Sequence, residues 1–166
     1  MEHSLRVDVA TADEARELLR AACGSARWVE RMLARRPFGR YASLLGAARE
    51  EWFALSEDDW REAFAHHPKI GDRESLARRF PATHHLSSQE QAGLASAVES
   101  VRDALTDGNR LYEQKFGYIF IVCATGKSAV EILRLLCERL DNEPEQEIRI
   151  AAEEHARITA IRLRDT

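Results

Sequence analysis

Apolar residues recur along most of this chain at spacings of three and four, the pattern of helices with one buried face. "TADEARELLRAAC" (11–23) sets Ala15, Leu18, Leu19 and Ala22 on one stripe. Thr11 with Glu14 three residues on is the pairing that caps a helix start. "SARWVERMLARRP" predicts a second helix stopped by Pro37, and "YASLLGAAREEWFAL" a third. "SEDDWREAFAH" predicts a fourth, with Ser56 as cap and Asp59 at its third position. A short helix is expected over residues 74–80, before Pro81. "SSQEQAGLASAVESVRDAL" (87–105) is long and well patterned, and "GKSAVEILRLLCERL" is amphipathic through Val130, Leu133, Leu136, Cys137 and Leu140. The last helix starts at Pro144, a residue suited to a first turn, and is expected to run to about Arg164.

One stretch breaks the helical pattern. "FGYIFIVCATG" (116–126) is rich in β-branched and aromatic residues and bounded by glycines, so its local propensity is that of a strand. A lone strand has no partner for its backbone groups. The expectation is therefore an all-α, single-domain bundle of about seven to eight helices over residues 1–166, with one buried extended segment near 117–124. Residues 1–9 are expected to be extended or poorly ordered.

Helical phase, at about 100° per residue, then identifies polar residues on apolar faces. Extending the stripe Leu94, Ala97, Val98, Val101 and Leu105 backwards lands on Gln91, Glu90 and Ser87. Ser87 and Glu90 also have capping-box spacing, and a helix N-terminus presents amides to an anion. On the last helix, Arg162 falls within about 40° of Ile148, on the face carrying Ala151, Ala152, His155, Ile158 and Thr159. On the fourth, His67 continues the face of Trp60, Ala63 and Phe64, whereas His66 lies to the side. Pro68 disfavours helix at His67 and ends the element there. A helix C-terminus favours a protonated imidazole. Three inward polar clusters suit one small anionic ligand, with a histidine and a carboxylate available for proton transfer.

Composition narrows the classes. Hydrophobic residues make up 45% of the 166 and charged residues 31%, an ordinary globular balance. A formal charge of −4 argues against a nucleic-acid-binding surface. No apolar run reaches the length of a membrane span, and "MEHSLRVDVATADEAR" lacks the apolar core of a signal peptide. Cys23, Cys123 and Cys137 form no CxxC pair, which favours a reducing, cytoplasmic setting.

Several stretches together resemble the OHCU decarboxylases, the 2-oxo-4-hydroxy-4-carboxy-5-ureidoimidazoline decarboxylases of urate degradation. They are "HPKIGD" (67–72), "SSQEQAGL" (87–94), "NRLYEQKFGYIFIVCATGKSA" (109–129), "RLDNEPEQE" (139–147) and "AAEEHARITAIRLR" (151–164). The resemblance runs from about residue 10 to 164, in the family's order. It implies an all-α carboxy-lyase that needs no cofactor and no metal, often dimeric, converting OHCU to S-allantoin and carbon dioxide. It places the catalytic histidine on His67 and the catalytic glutamate on Glu90. It places substrate contacts on Pro68, Ser87, Gln91 and Arg162, and main-chain contacts on Phe120, Ile121, Val122, Cys123 and Ala124. His66, Lys69 and Arg157 depart from the common pattern, none at a position carried over.

Rival readings fare worse. His66, His67, His84 and His85 cannot form the i, i+4 face of a zinc-binding helix, and no matching cysteine or aspartate pattern surrounds them. "ATGKS" (124–128) fails as a phosphate-binding loop, because Ile121 stands where the first glycine is required. The alternative is a non-catalytic helical domain that binds a small anion. It explains the periodicity but not Glu90, Gln91 and Arg162 together.

Overall fold

The computed structural model describes residues 4–69 and 88–166, over 88–96 by backbone alone. Its described α-helices are α1 (Arg6–Val9), α2 (Ala12–Ala22), α3 (Ala26–Ala34), α4 (Tyr41–Phe53), α5 (Glu57–Ala65), α6 (Ser88–Phe116), α7 (Ala129–Leu140) and α8 (Pro144–Arg162). A 3-10 turn, Leu163–Asp165, follows α8. No strand occurs among the described residues, in keeping with the all-α expectation. The helix expected over 74–80 lies outside them. The backbone divides into two compact units, residues 1–67 with 148–166 and residues 68–147, with the boundary falling within α8.

In the first unit α2 and α5 begin where their capping residues predict. Thr11 Oγ1 accepts from the Glu14 amide while the Glu14 carboxylate accepts from the Thr11 amide, and Ser56 with Asp59 repeats the arrangement. Leu19, Trp28, Met32, Leu44, Phe64 and Leu163 form a core closed to solvent. Each buried indole finds an acceptor: Trp28 Nε1 donates to the Ala48 carbonyl at 3.0 Å and Trp52 Nε1 to that of Ala152 at 2.9 Å. The extended lead-in expected at the N-terminus is replaced by α1. Val7 is fully buried and its amide donates to the Thr166 carbonyl at 3.0 Å, while Asp8 accepts from the amides of Phe38 and Gly39. Burial of one valine and the capping of a distant turn outweigh the poor propensity of so short a helix.

In the second unit α6 continues past Leu105 to Phe116. Gly108 lies within it and against Leu136: an added Cβ would lie 2.7 Å from Leu136 Cδ2. The glycine marks close helix packing. Gly117, at φ 80°, stops α6 as a left-handed cap, its amide donating to the Glu113 carbonyl at 2.9 Å. The residues that follow are non-helical and buried, Phe120, Ile121 and Val122 at 1%, 2% and 3% exposure, as expected for this segment. Ser128 then caps α7 with Glu131. The buried face of α7 differs from the expected one: it carries Ile132, Leu136 and Arg139, while Val130 and Cys137 are exposed. Arg139 on this face pairs with the buried Glu147.

Candidate functional site

Helix α5 ends at Ala65, and His66 caps it in a helical conformation. The His67 amide donates to the Phe64 carbonyl at 3.1 Å before Pro68 turns the chain away. His66 is exposed, with Nδ1 2.9 Å from the Glu62 carbonyl, and Pro68 is exposed too. His67 is half-buried. The two adjacent histidines therefore differ as the helical phase predicts.

Around His67 stand two groups from α8. Arg162 Nη2 lies 3.4 Å from His67 Nδ1, and the His155 ring lies 4.8 Å away at 88°. A guanidinium only donates, so Nδ1 is the acceptor in this arrangement. The imidazole is then neutral and carries its proton on Nε2. Burial, then the charges of Arg162 and His66, push the His67 pKa down to about 4. This reverses the expectation of a protonated imidazole: the field of the last-turn carbonyls is weaker than desolvation plus an adjacent guanidinium. Arg162 is also corrected in depth. It sits on the predicted side of α8 and reaches His67, but it is exposed, being at the final turn of the helix.

The same corner holds a buried thiol and a second histidine. Cys23 is closed to solvent, and burial pushes its thiol up to about 12, against a smaller lowering by the Ser25 backbone and Arg162. His155 is fully buried, and desolvation holds its pKa well below the ordinary value. Helical phase put His155 on the buried face, but nothing in the sequence marked it as more than core.

In the second unit, residues 120–124 are buried throughout. Some of their carbonyls are engaged internally. Ile121 O accepts from Arg139 Nη1 at 2.7 Å, Cys123 O from Lys127 Nζ at 2.8 Å, and Ala124 O from the Lys127 amide at 3.1 Å. Arg139 is itself held by Glu147 (2.6 Å), and its guanidinium carbon lies 4.5 Å over the Phe120 ring. Glu147 also accepts from Tyr112 Oη and Asn142 Nδ2. Burial and the Glu147 carboxylate drive the Tyr112 phenol far above its ordinary pKa, against a lowering by Arg139. This ion pair escaped the sequence reading because its members sit on different helices. The available signal was Arg139 at i+7 from Ile132, on the stripe through Leu136.

Glu90 and Gln91 lie on the α6 backbone, and their side chains, with Ser87, fall outside the described residues. Of the expected site residues, His67 and Arg162 are thus brought together.

A family model described as OHCU decarboxylase matches residues 8–164. The chain belongs to the OHCU decarboxylase family. It is 34% identical over 145 residues to the uric acid degradation bifunctional protein TTL of Arabidopsis thaliana, covering 87% of this chain and 44% of that one. It is 36% identical over 99 residues to the 2-oxo-4-hydroxy-4-carboxy-5-ureidoimidazoline decarboxylase of Amia calva, covering 60% of this chain and 56% of that one. The chain thus spans about half the length of these curated relatives. A crystal structure of an OHCU decarboxylase in the presence of (S)-allantoin is similar at a TM-score of 0.71 and 32% identity, over 93% of this chain and 96% of that one. An (S)-allantoin synthase structure, at 20% identity and a TM-score of 0.67, shares the fold.

Proposed function

We propose that this protein is a decarboxylase that converts OHCU to S-allantoin and carbon dioxide in urate degradation, with His67 and Glu90 as its catalytic residues. The observation that carries the reading is the half-buried His67 imidazole 3.4 Å from the Arg162 guanidinium, in a chain of this family. OHCU bears a carboxylate and a hydroxyl on one ring carbon, next to a C=N carbon. When the bond to the carboxylate breaks, its electron pair passes into the ring and the nitrogen of the C=N takes a proton. The hydroxyl proton then leaves as the ring carbonyl forms, and a proton is added to the neighbouring carbon on one face. The net change is one substrate anion plus one proton giving allantoin plus carbon dioxide.

Arg162 supplies the positive charge for the substrate carboxylate or a ring carbonyl. An anion on Arg162 offsets the field that depresses the His67 pKa, so substrate binding raises the proton affinity of this imidazole. With its proton on Nε2, His67 takes the hydroxyl proton at Nδ1 once Arg162 has turned to the substrate anion, and returns it as the ring rearranges. Glu90 hydrogen-bonds the imidazole or the hydroxyl, and Ser87, Gln91, Pro68 and the main chain of residues 120–124 contact the substrate. With the Ile121, Cys123 and Ala124 carbonyls engaged, the amides of that segment are its better recognition groups. The same reading makes the protein one OHCU decarboxylase-like domain, independent of metal and cofactor, acting as a homodimer in the cytoplasm.

The experiment is to generate OHCU in situ, add the protein, and follow the ultraviolet decay with and without chelator. Chelator-insensitive acceleration is expected. His67→Ala should lose at least the ~10²–10⁴-fold typical of a general acid–base group. Near-wild-type turnover by that variant would remove His67 from the mechanism, and binding of allantoin without acceleration would favour a non-catalytic anion-binding domain.

A further inference from the structure

His155 is a polar residue where an apolar one would pack more cheaply. It has no solvent exposure, and its Nε2 finds no hydrogen-bond partner among the described residues. Its surroundings are nevertheless well ordered on one side. The ring stacks on Trp52 at 4.2 Å and 17°, and Phe64 leans against it at 5.8 Å. Trp52 is fixed in turn by its bond to the Ala152 carbonyl, one turn back along α8. Thr159 Oγ1 lies 3.3 Å from His155 Nδ1 and 3.5 Å from the Ala22 carbonyl, which sets the rotation of the imidazole. In either tautomer Nε2 is unpartnered among the described residues: as an N–H it finds no acceptor, as a lone pair no donor.

On its other side His155 meets His67, ring against ring at 4.8 Å and 88°. Desolvation keeps His155 uncharged, so it can lie against His67 without repelling it. A buried, uncharged imidazole with an unused nitrogen, wedged between an anchored indole and the half-buried histidine, is explained better by what it holds than by core packing.

We infer that His155 is a positioning residue for His67: it transmits the rigidity of the Trp52 stack to the His67 imidazole and holds Nδ1 towards Arg162. The inference rests on the reading of His67 as catalytic. Phenylalanine at this position would remove the unpaired polar atom but would be bulkier and would lose the Thr159 contact that sets the ring's rotation. Stability and turnover should therefore separate.

The test compares the wild-type full chain with His155→Phe, measuring melting temperature, kcat and KM for OHCU, and the ring nitrogen shifts of His67 by NMR. The expected result is an unchanged or raised melting temperature, kcat lowered at least tenfold, KM within threefold, and loss of the single tautomer with Nδ1 as acceptor. If His155→Phe does not fold, His155→Gln carries the same comparison. Wild-type kcat, or a His67 tautomer unaltered by the substitution, would overturn the inference. A wild-type protein that does not turn over OHCU would sink the functional reading instead, and the His67 nitrogen shifts would still decide the positioning role.

Discussion

Removing the charge of Arg139 should cost the protein far more than a surface arginine does. The guanidinium and the Glu147 carboxylate are 2.6 Å apart with side-chain exposures of 8% and 0%, so neither charge can fall back on water. Arg139→Met keeps the aliphatic stem but leaves a carboxylate in the core with, among the described residues, Tyr112 and Asn142 as its side-chain donors. It also frees the Ile121 carbonyl from its 2.7 Å bond. One-sided loss of a buried pair costs about 3–5 kcal/mol. For a chain of this size that lowers the melting temperature by roughly 6–20 °C. Glu147→Gln should cost a comparable amount, because it strands the guanidinium. The double variant buries no net charge and should be less destabilised than the two single losses summed, with a coupling of at least ~1 kcal/mol. Urea unfolding of the four proteins at pH 7.5 measures the cycle. Single losses below ~1 kcal/mol that simply add would refute the view that this pair anchors residues 120–124.

Other consequences are quicker to check. The depressed pKa of His67 makes the native state bind fewer protons than the unfolded chain between the ordinary histidine value of 6.5 and about 4, so its contribution to stability is present above pH 6.5 and lost as pH falls to about 4. His155 adds to the loss in the same direction. Arg162→Gln should raise the His67 pKa, read by NMR titration; an unmoved value would mean that the guanidinium plays no part in setting it. Gly24→Ala would put a Cβ 2.7 Å from His66 Cβ and Cγ, so it should shift the His66–His67 turn and lower kcat, and an unchanged rate would show that the turn gives way harmlessly. Iodoacetamide at pH 8 should modify the exposed Cys137 and spare Cys23, whose buried thiol is pushed up to about 12; labelling of both in the folded protein would contradict that burial.

The features legible in the sequence were local ones. Capping pairs at Thr11 and Ser56 mark where two helices start, and phase along one helix separates His67 from His66. The strand-like stretch forms no strand among the described residues, in keeping with the expectation of a buried extended segment. What the sequence hid depends on groups brought together from far apart. Gly108 looks like a helix breaker until Leu136 lies against it. Arg139 looks like a solvated residue until Glu147 is beside it, and the buried face of α7 carries it with Ile132 and Leu136 while Val130 is exposed. Protonation has the same origin: the helix end alone argues for a charged His67, and burial, with Arg162 from the distant last helix beside it, holds the pKa down instead. The N-terminal α1 was missed because its stability comes from the buried Val7 and the turn capped by Asp8.

The most direct measurement is the handedness of the allantoin. OHCU is generated from urate with purified upstream enzymes and split between wild-type protein, His67→Ala and buffer, and the product is followed by circular dichroism. Wild-type protein should give S-allantoin faster than OHCU decays alone, while His67→Ala and buffer should give the slow, racemic product. Racemic allantoin at the uncatalysed rate from the wild-type protein would contradict the account.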